Sequence, residues 1–333
     1  MKKYHITTVG NALLDMEYQV NDDFLILNDI EKGVQTLQNH DEHMKLLDAL
    51  KGRQSHNAAG GACTNSLVAA GHLGAHNFYH CQVGNDEHAQ TILASLAEAQ
   101  IKTSPIETIQ KDGHTGKCIV LITPDAERTM LTYLGVSADI AADSVDQAAI
   151  DQAEYFLVEG FQCISDESRA ANIAAIKAAH AAGTKIALSF CDEAVVQYFH
   201  SQITELTAAA PIDILFCNHH EAMIFTNTKT TAEAAQALKQ IATTFAMTLG
   251  PKGALIYDGK DTFEIKGQPV NATDTLGAGD LFAGVFLYGL THSLNYHQAG
   301  QLANEAAAEL VMHFGPRLPA SQLQNIFTRF SEE

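Results

Sequence analysis

Val270-Asn271-Ala272-Thr273-Asp274-Thr275-Leu276-Gly277-Ala278-Gly279-Asp280, running on into Leu281-Phe282-Ala283-Gly284-Val285-Phe286-Leu287-Tyr288, reads as a strand-like lead, a turn of small residues and an apolar helix. With Gly277, Ala278 and Gly279 at the helix start, bare backbone N–H groups can approach an anion at the positive end of the helix dipole. A phosphate fits there. Asp280 is the odd member, because a carboxylate beside an anion site repels phosphate unless it serves as a proton acceptor. Its other reading is an acidic residue that merely favours the first helical turn. Neither common nucleotide motif competes: Phe282 stands where the third glycine of a dinucleotide fingerprint belongs, and the chain holds no G-x-x-x-x-G-K-[ST].

Upstream of this turn, from about Ala153, short apolar runs alternate with helix-length segments. Tyr155-Phe156-Leu157-Val158, Lys185-Ile186-Ala187-Leu188 and Asp213-Ile214-Leu215-Phe216 are the runs, and an Ala-rich helix over 168–182 stops at Gly183. This is the pattern of βαβ units: an α/β fold with a central, mostly parallel sheet flanked by helices on both faces. A further helix is expected after Asp86, whose carboxylate can cap it, through the stretch ending at Gln100. Two stretches break the alternation, 11–50 and 113–136. In the second, Cys118-Ile119-Val120-Leu121-Ile122 and Thr129-Met130-Leu131-Thr132-Tyr133 flank Pro124-Asp125-Ala126-Glu127 as a β-hairpin. Segments within 11–50 and 113–136 are expected to build a small β-sheet lid on a single domain spanning 1–333.

The chain has 333 residues, 46% of them apolar, enough for a sizeable core. Twenty Lys and Arg against 39 Asp and Glu give a formal charge of −19, which disfavours nucleic acid or an anionic membrane as partner. No signal segment or membrane-length apolar run is seen, so the expectation is a cytoplasmic protein, monomer or homodimer. Six cysteines without C-x-x-C suit reduced, buried thiols. The sixteen histidines lack H-E-x-x-H, and solvated or locally bonded roles are favoured over a metal site, the series His72, His76, His80 being interrupted by Gly74.

The Asp274–Asp280 segment resembles the C-terminal signature of the ribokinase-like (PfkB) carbohydrate kinases. Gly60-Gly61-Ala62-Cys63-Thr64-Asn65 is similar to that family's glycine pair followed by asparagine. Gly84-Asn85-Asp86-Glu87 is similar to its G-x-D-x-x-G turn, with His88 replacing the last glycine. Asn218-His219-His220-Glu221 resembles the N-x-x-E element and Thr248-Leu249-Gly250-Pro251-Lys252-Gly253 the T-x-G-x-x-G loop near ATP. The resemblance implies that Asp280 takes the proton of the attacking hydroxyl while Gly277, Ala278 and Gly279 stabilise charge on the γ-phosphoryl. It also implies that Asn218, Glu221, Thr248, Gly250 and Gly253 serve ATP, and that Glu221 organises Mg2+ through water. A monovalent cation is left open. Such roles agree with phosphoryl transfer, where the protein mainly positions reactants and neutralises charge.

Within the family, Gly10-Asn11-Ala12-Leu13-Leu14-Asp15 resembles the opening of adenosine kinases more than that of ribokinases. Asp15 can accept both ribose hydroxyls, with Asn11 beside it. Gly60 and Gly61 leave room for a flat sugar face, and the Asn65 amide can reach sugar hydroxyls. Arg128 stands where the resemblance places a lid arginine on phosphate, and Phe161, after Gly160, offers a face for a base. The expected activity is transfer of the γ-phosphoryl group of ATP to the 5'-type hydroxyl of a nucleoside, adenosine first. A sugar kinase and a non-catalytic sugar or nucleotide sensor are the competing readings.

Overall fold

The computed structural model describes residues 2–125 and 127–332; Ala126, in the expected hairpin turn, lies outside the described residues. Nine strands form the main sheet, in the order Thr262–Lys266, Gly253–Tyr257, Ala242–Thr248, Ile212–Asn218, Lys185–Ser189, Ala153–Glu159, Tyr4–Val9, Asn77–His80 and Lys102–Thr103. All neighbours run parallel except at one end, where Gly253–Tyr257 is antiparallel to both Ala242–Thr248 and Thr262–Lys266. The central strands are buried on both faces, hence their unbroken apolar runs. Alternate side chains feed two cores: Tyr155 and Leu157 join one, Phe156 and Val158 the other.

Local chemistry sets the helix ends. The Ala-rich helix is Asp166–Ala181, begun two residues earlier than its sequence suggests because the Ser165 side chain accepts from the Ser168 N–H. Gly183 follows at φ 70°. Asp86 caps Glu87–Glu98 as expected, accepting from the Ala89 N–H. The lead into the Gly277 turn is not a strand: residues 267–277 are irregular, and the N–H groups of Thr273 and Asp274 bond to the Val311 carbonyl instead of a neighbouring strand.

The second sheet has five strands, in the order Gln35–Leu37, Arg128–Tyr133, Gly116–Ile122, Leu13–Gln19 and Ser55–Gly60. Gly116–Ile122 and Arg128–Tyr133 form the antiparallel hairpin. Ser55–Gly60 comes from outside the two stretches singled out in the sequence and pairs antiparallel with Leu13–Gln19. One face of this sheet is apolar and covered: Ile119, Leu121 and Leu131 share a core with Leu46 of helix His40–Ala49, with Leu50 at its C-cap, and with Ile92 and Leu96 of helix Glu87–Glu98. The opposite face, carrying the alternate residues, turns toward the ends of the main sheet.

All six cysteines are free; five are buried and Cys191 is partly exposed. Among the described residues no helix is long and apolar enough to cross a membrane.

Candidate active site

A cavity of about 520 Å³ lies between the small sheet and the carboxyl ends of the parallel strands, the usual place for a ligand in an open α/β sheet. Its floor comes from the main sheet and its helices. Glu159, Ser189 and Asn218 are the last residues of their strands and all line it. Its roof follows from period-two alternation in the small sheet: Leu13 and Asp15, Gln35 and Leu37, Cys118 and Val120, Arg128 with Met130 and Thr132.

Gly277 is the N-cap of helix Ala278–Thr291, at φ 70°, and supplies no side-chain cap. The Ala278 N–H turns back to the Thr275 carbonyl at 3.3 Å, while the N–H groups of Gly279 and Asp280 have no partner among the described residues and are left for a ligand. Gly277, Ala278, Gly279 and Asp280 all line the cavity, and a Cβ on Gly279 would meet only open space. Behind the turn, Leu281, Phe282, Val285, Phe286 and Leu287 are buried and anchor the helix. Gly284 lies so close to the Ser66 backbone that a Cβ there would overlap the Ser66 carbonyl oxygen. That approach brings helix Ala62–His72 against Ala278–Thr291. The Ser66 hydroxyl donates to the Asp280 carbonyl at 2.8 Å, and the Asn65 Nδ2 donates to the Asp280 carboxylate at 3.0 Å.

The Asp280 pKa is pushed up to about 7, first by burial and then by Glu159 and Asp15, against the lowering effects of the Asn65 hydrogen bond and Arg317. Asp15, 8% exposed, also rises to about 7; burial is the main cause, Glu17 adds to it, and Arg317 and Arg128 oppose it. Perturbation of this size in a cleft is a feature of reaction sites.

Asn11, Gly61, Asn65 and Phe161 line the same cavity. Gly60 does not; a Cβ there would overlap the Asp15 carboxylate, so its bareness makes room for a side chain of the protein itself. Gly61, at φ 100°, would likewise overlap the Asn11 carbonyl. Asn218, Glu221 and Thr248 line the cavity, whereas Gly250 and Gly253 are not among its walls: they shape the turn between Ala242–Thr248 and Gly253–Tyr257. Asn218 and Glu221 form a reciprocal capping box at the start of helix His219–Thr226, the Asn218 Oδ1 accepting from the Glu221 N–H at 2.8 Å and the Glu221 Oε2 from the Asn218 N–H at 2.7 Å. The structural and functional readings of this pair are thus not exclusive. Glu221 is 4% exposed, and burial, assisted by Asp192, Glu193 and Asp280, pushes its pKa up to about 8.

Arg128 reaches from the roof to the floor, its Nη2 donating to the buried Asp274 carboxylate at 2.5 Å. Its buried Nη1 has no hydrogen-bond partner among the described residues; Glu17 stands 3.7 Å away. Asp274 also accepts from the N–H groups of Leu276 and Gly315, which fixes the turn before Gly277.

Sequence reasoning missed two charged residues. Glu159, 1% exposed, accepts from the N–H groups of Asn11 at 2.8 Å and Cys63 at 2.9 Å and so joins two floor loops. Arg317 donates through Nε to Asn65 Oδ1 at 2.9 Å and through Nη1 to Ser95 Oγ at 2.8 Å. An acid at the end of an apolar strand was a usable signal for the first; a single arginine in a loop offered none for the second.

The family model described as "pfkB family carbohydrate kinase" matches residues 36–323. The chain belongs to the PfkB carbohydrate kinase family. Among its relatives, adenosine kinase of Saccharomyces cerevisiae is 25% identical over 96% of this chain and 98% of its own length. Ribokinase of Haemophilus influenzae is 28% identical over 78% of this chain and 83% of its own. The crystal structure of adenosine kinase from Sinorhizobium meliloti superposes with a TM-score of 0.90 at 28% identity, covering 98% of this chain and 99% of the other. This PfkB kinase is thus a ribokinase-like phosphotransferase for a nucleoside or a sugar.

Proposed function

We propose that the protein transfers the γ-phosphoryl group of ATP to the 5'-hydroxyl of a nucleoside, adenosine first among them. The observation that carries this reading is the Asp280 carboxylate, partly exposed at the head of an uncapped helix, in one cavity with a polar sugar-sized corner and a broad apolar wall. Asp15, Asn11 and Asn65 form the corner and can bond ribose hydroxyls. Leu13, Leu37, Val120, Met130 and Leu134, with Phe161, offer apolar surface suited to a base. A free pentose leaves that surface uncovered.

The Asp280 carboxylate accepts the proton of the 5'-hydroxyl as its oxygen bonds to the γ-phosphorus, and the bond from that phosphorus to the β-phosphate oxygen breaks to release ADP. The turn Gly277-Ala278-Gly279, with its open amide at Gly279, holds the transferring group, and Arg128 lines the same cavity. Asn218 and Thr248 lie toward the ATP side. Glu221 fits a Mg2+ held through water: its carboxylate is buried, no positive side chain offsets it among the described residues, and no three metal-ligating side chains converge into a protein cage there. Magnesium bound with ATP supplies neutralisation of phosphate charge. The small sheet acts as a lid, with Arg128 closing on Asp274 and the phosphates.

Measuring ADP release with adenosine, inosine, guanosine, cytidine, ribose and fructose tests this. Adenosine should give the highest kcat/KM; a preference for a free sugar overturns the nucleoside reading, and no turnover with any acceptor overturns the kinase chemistry.

A further inference from the structure

Arg317 lies in the loop after helix Tyr296–Leu310, behind the cavity wall. Its Nε donates to Asn65 Oδ1 at 2.9 Å, and Asn65 Nδ2 donates to Asp280 Oδ2 at 3.0 Å. A guanidinium only donates and an ionised carboxylate only accepts, so one orientation of the Asn65 amide satisfies both neighbours and the flipped one satisfies neither. We infer that Arg317 is a positioning residue for phosphoryl transfer: through Asn65 it occupies one oxygen of Asp280 and leaves the other, Oδ1, to receive the hydroxyl proton. This rests on the reading of Asp280 as proton acceptor.

Three observations support it. Asp280 Oδ1 has no hydrogen-bond partner among the described residues, whereas Oδ2 is engaged. Arg317 is itself braced by Ser95 Oγ at 2.8 Å, and its neighbours Gly315 and Pro316 touch Asp274 and Gly277, so the whole loop is keyed to the turn that carries Asp280. The guanidinium also provides the positive charge among the groups around Asp280. Those groups are Asp15 on the roof, Glu159 and Cys191 at the strand ends, Glu221 on its helix and Arg317 itself, which also faces Tyr79. Without Arg317 the amide is free to turn its oxygen to Asp280, replacing a donor by an acceptor.

The test is the pH dependence of kcat/KM for adenosine in Arg317→Met and Arg317→Lys. Loss of a cation within reach of a carboxylate moves its pKa by roughly one unit or more. Arg317→Met should therefore shift the acid limb upward by about one pH unit and lower kcat/KM at pH 7 by ~5-fold, with recovery at pH 9 and an unchanged KM for ATP. Arg317→Lys keeps the charge but cannot hold both Asn65 and Ser95, and its limb should fall between. An unshifted limb in folded Arg317→Met overturns the inference, whatever kcat does. Should that variant fail to fold, an unshifted limb in Arg317→Lys has the same force. Asp280→Asn assayed alongside separates the two levels. Near-normal turnover there removes the base itself, while an inactive Asp280→Asn with an unshifted Arg317 limb removes only the role of Arg317.

Discussion

The floor and the roof of the cavity are built on opposite terms. Carboxylates and amides crowd the floor: Asp280, Glu159, Glu221, Asn218 and the bare helix start. The roof is mainly apolar, with Asp15, Gln35 and Arg128 among Leu13, Leu37, Val120, Met130 and Leu134. On the floor, most polar groups hold one another in hydrogen bonds that cross the fold, such as Glu159 to Asn11 and Cys63. The roof residues face inward because strands alternate, each independent of the next. The difference suggests a test: on the proposed function, substitutions in the apolar roof should act mainly on acceptor binding and those at Asp280 mainly on the reaction, with Arg128 and Asn65 the residues that bridge the two.

The largest effect is expected at Asp280. Asp280→Asn should lower kcat by at least ~10²-fold while leaving the KM for ATP nearly unchanged; steady-state kinetics with both substrates varied would check it. In the unsubstituted protein, kcat/KM should rise with pH through an acid limb near 7, because only the ionised carboxylate accepts a proton and burial holds its pKa at about 7. Asp15→Ala, on the roof, should raise the KM for adenosine by ~10- to 100-fold through lost charged hydrogen bonds, with little change for ATP. Equal changes in both constants would show that roof and floor are not separate. Met130→Ala should raise the KM for adenosine by ~3- to 10-fold and leave any turnover of ribose unaltered.

The smallest effect concerns stability. Asp280 has a raised pKa in the folded chain, so its protonated form is favoured by folding. That contribution is fully present below the unfolded value near 4 and is lost as pH rises through about 7. Asp280→Asn should therefore melt higher than the parent at pH 8, by ~1–2 kcal/mol after allowance for its partial exposure, with the gap closing toward pH 4. Thermal melts across that range decide it.

What could be read from the sequence was local. The glycines and acid before Leu281, the Asp86 cap and the apolar strands each owe their form to neighbours within a few residues, and the structure has them as expected. Ser55–Gly60 was not legible, since Ser-His-Asn-Ala-Ala-Gly has little intrinsic strand preference and pairs only because Leu13–Gln19 lies alongside. Arg317 was illegible for the same reason at greater range: its partner Asn65 is 252 residues away. Gly60 was noticed for a different reason from the one the structure gives, because close approach by Asp15 is a tertiary fact. Gly284 reads as a weak point in a helix, yet it permits the contact that carries Asn65 to Asp280.

That Gly284 contact limits how such a protein can diversify. A single added methyl at the crossing would wedge the two helices apart and spoil the alignment of reacting groups, so drift there is closed off. The roof is equally closed at Gly60, where a Cβ would meet the Asp15 carboxylate, but a lineage seeking a new alcohol to phosphorylate would find its tolerated mutations among the apolar roof side chains Leu37, Val120 and Met130.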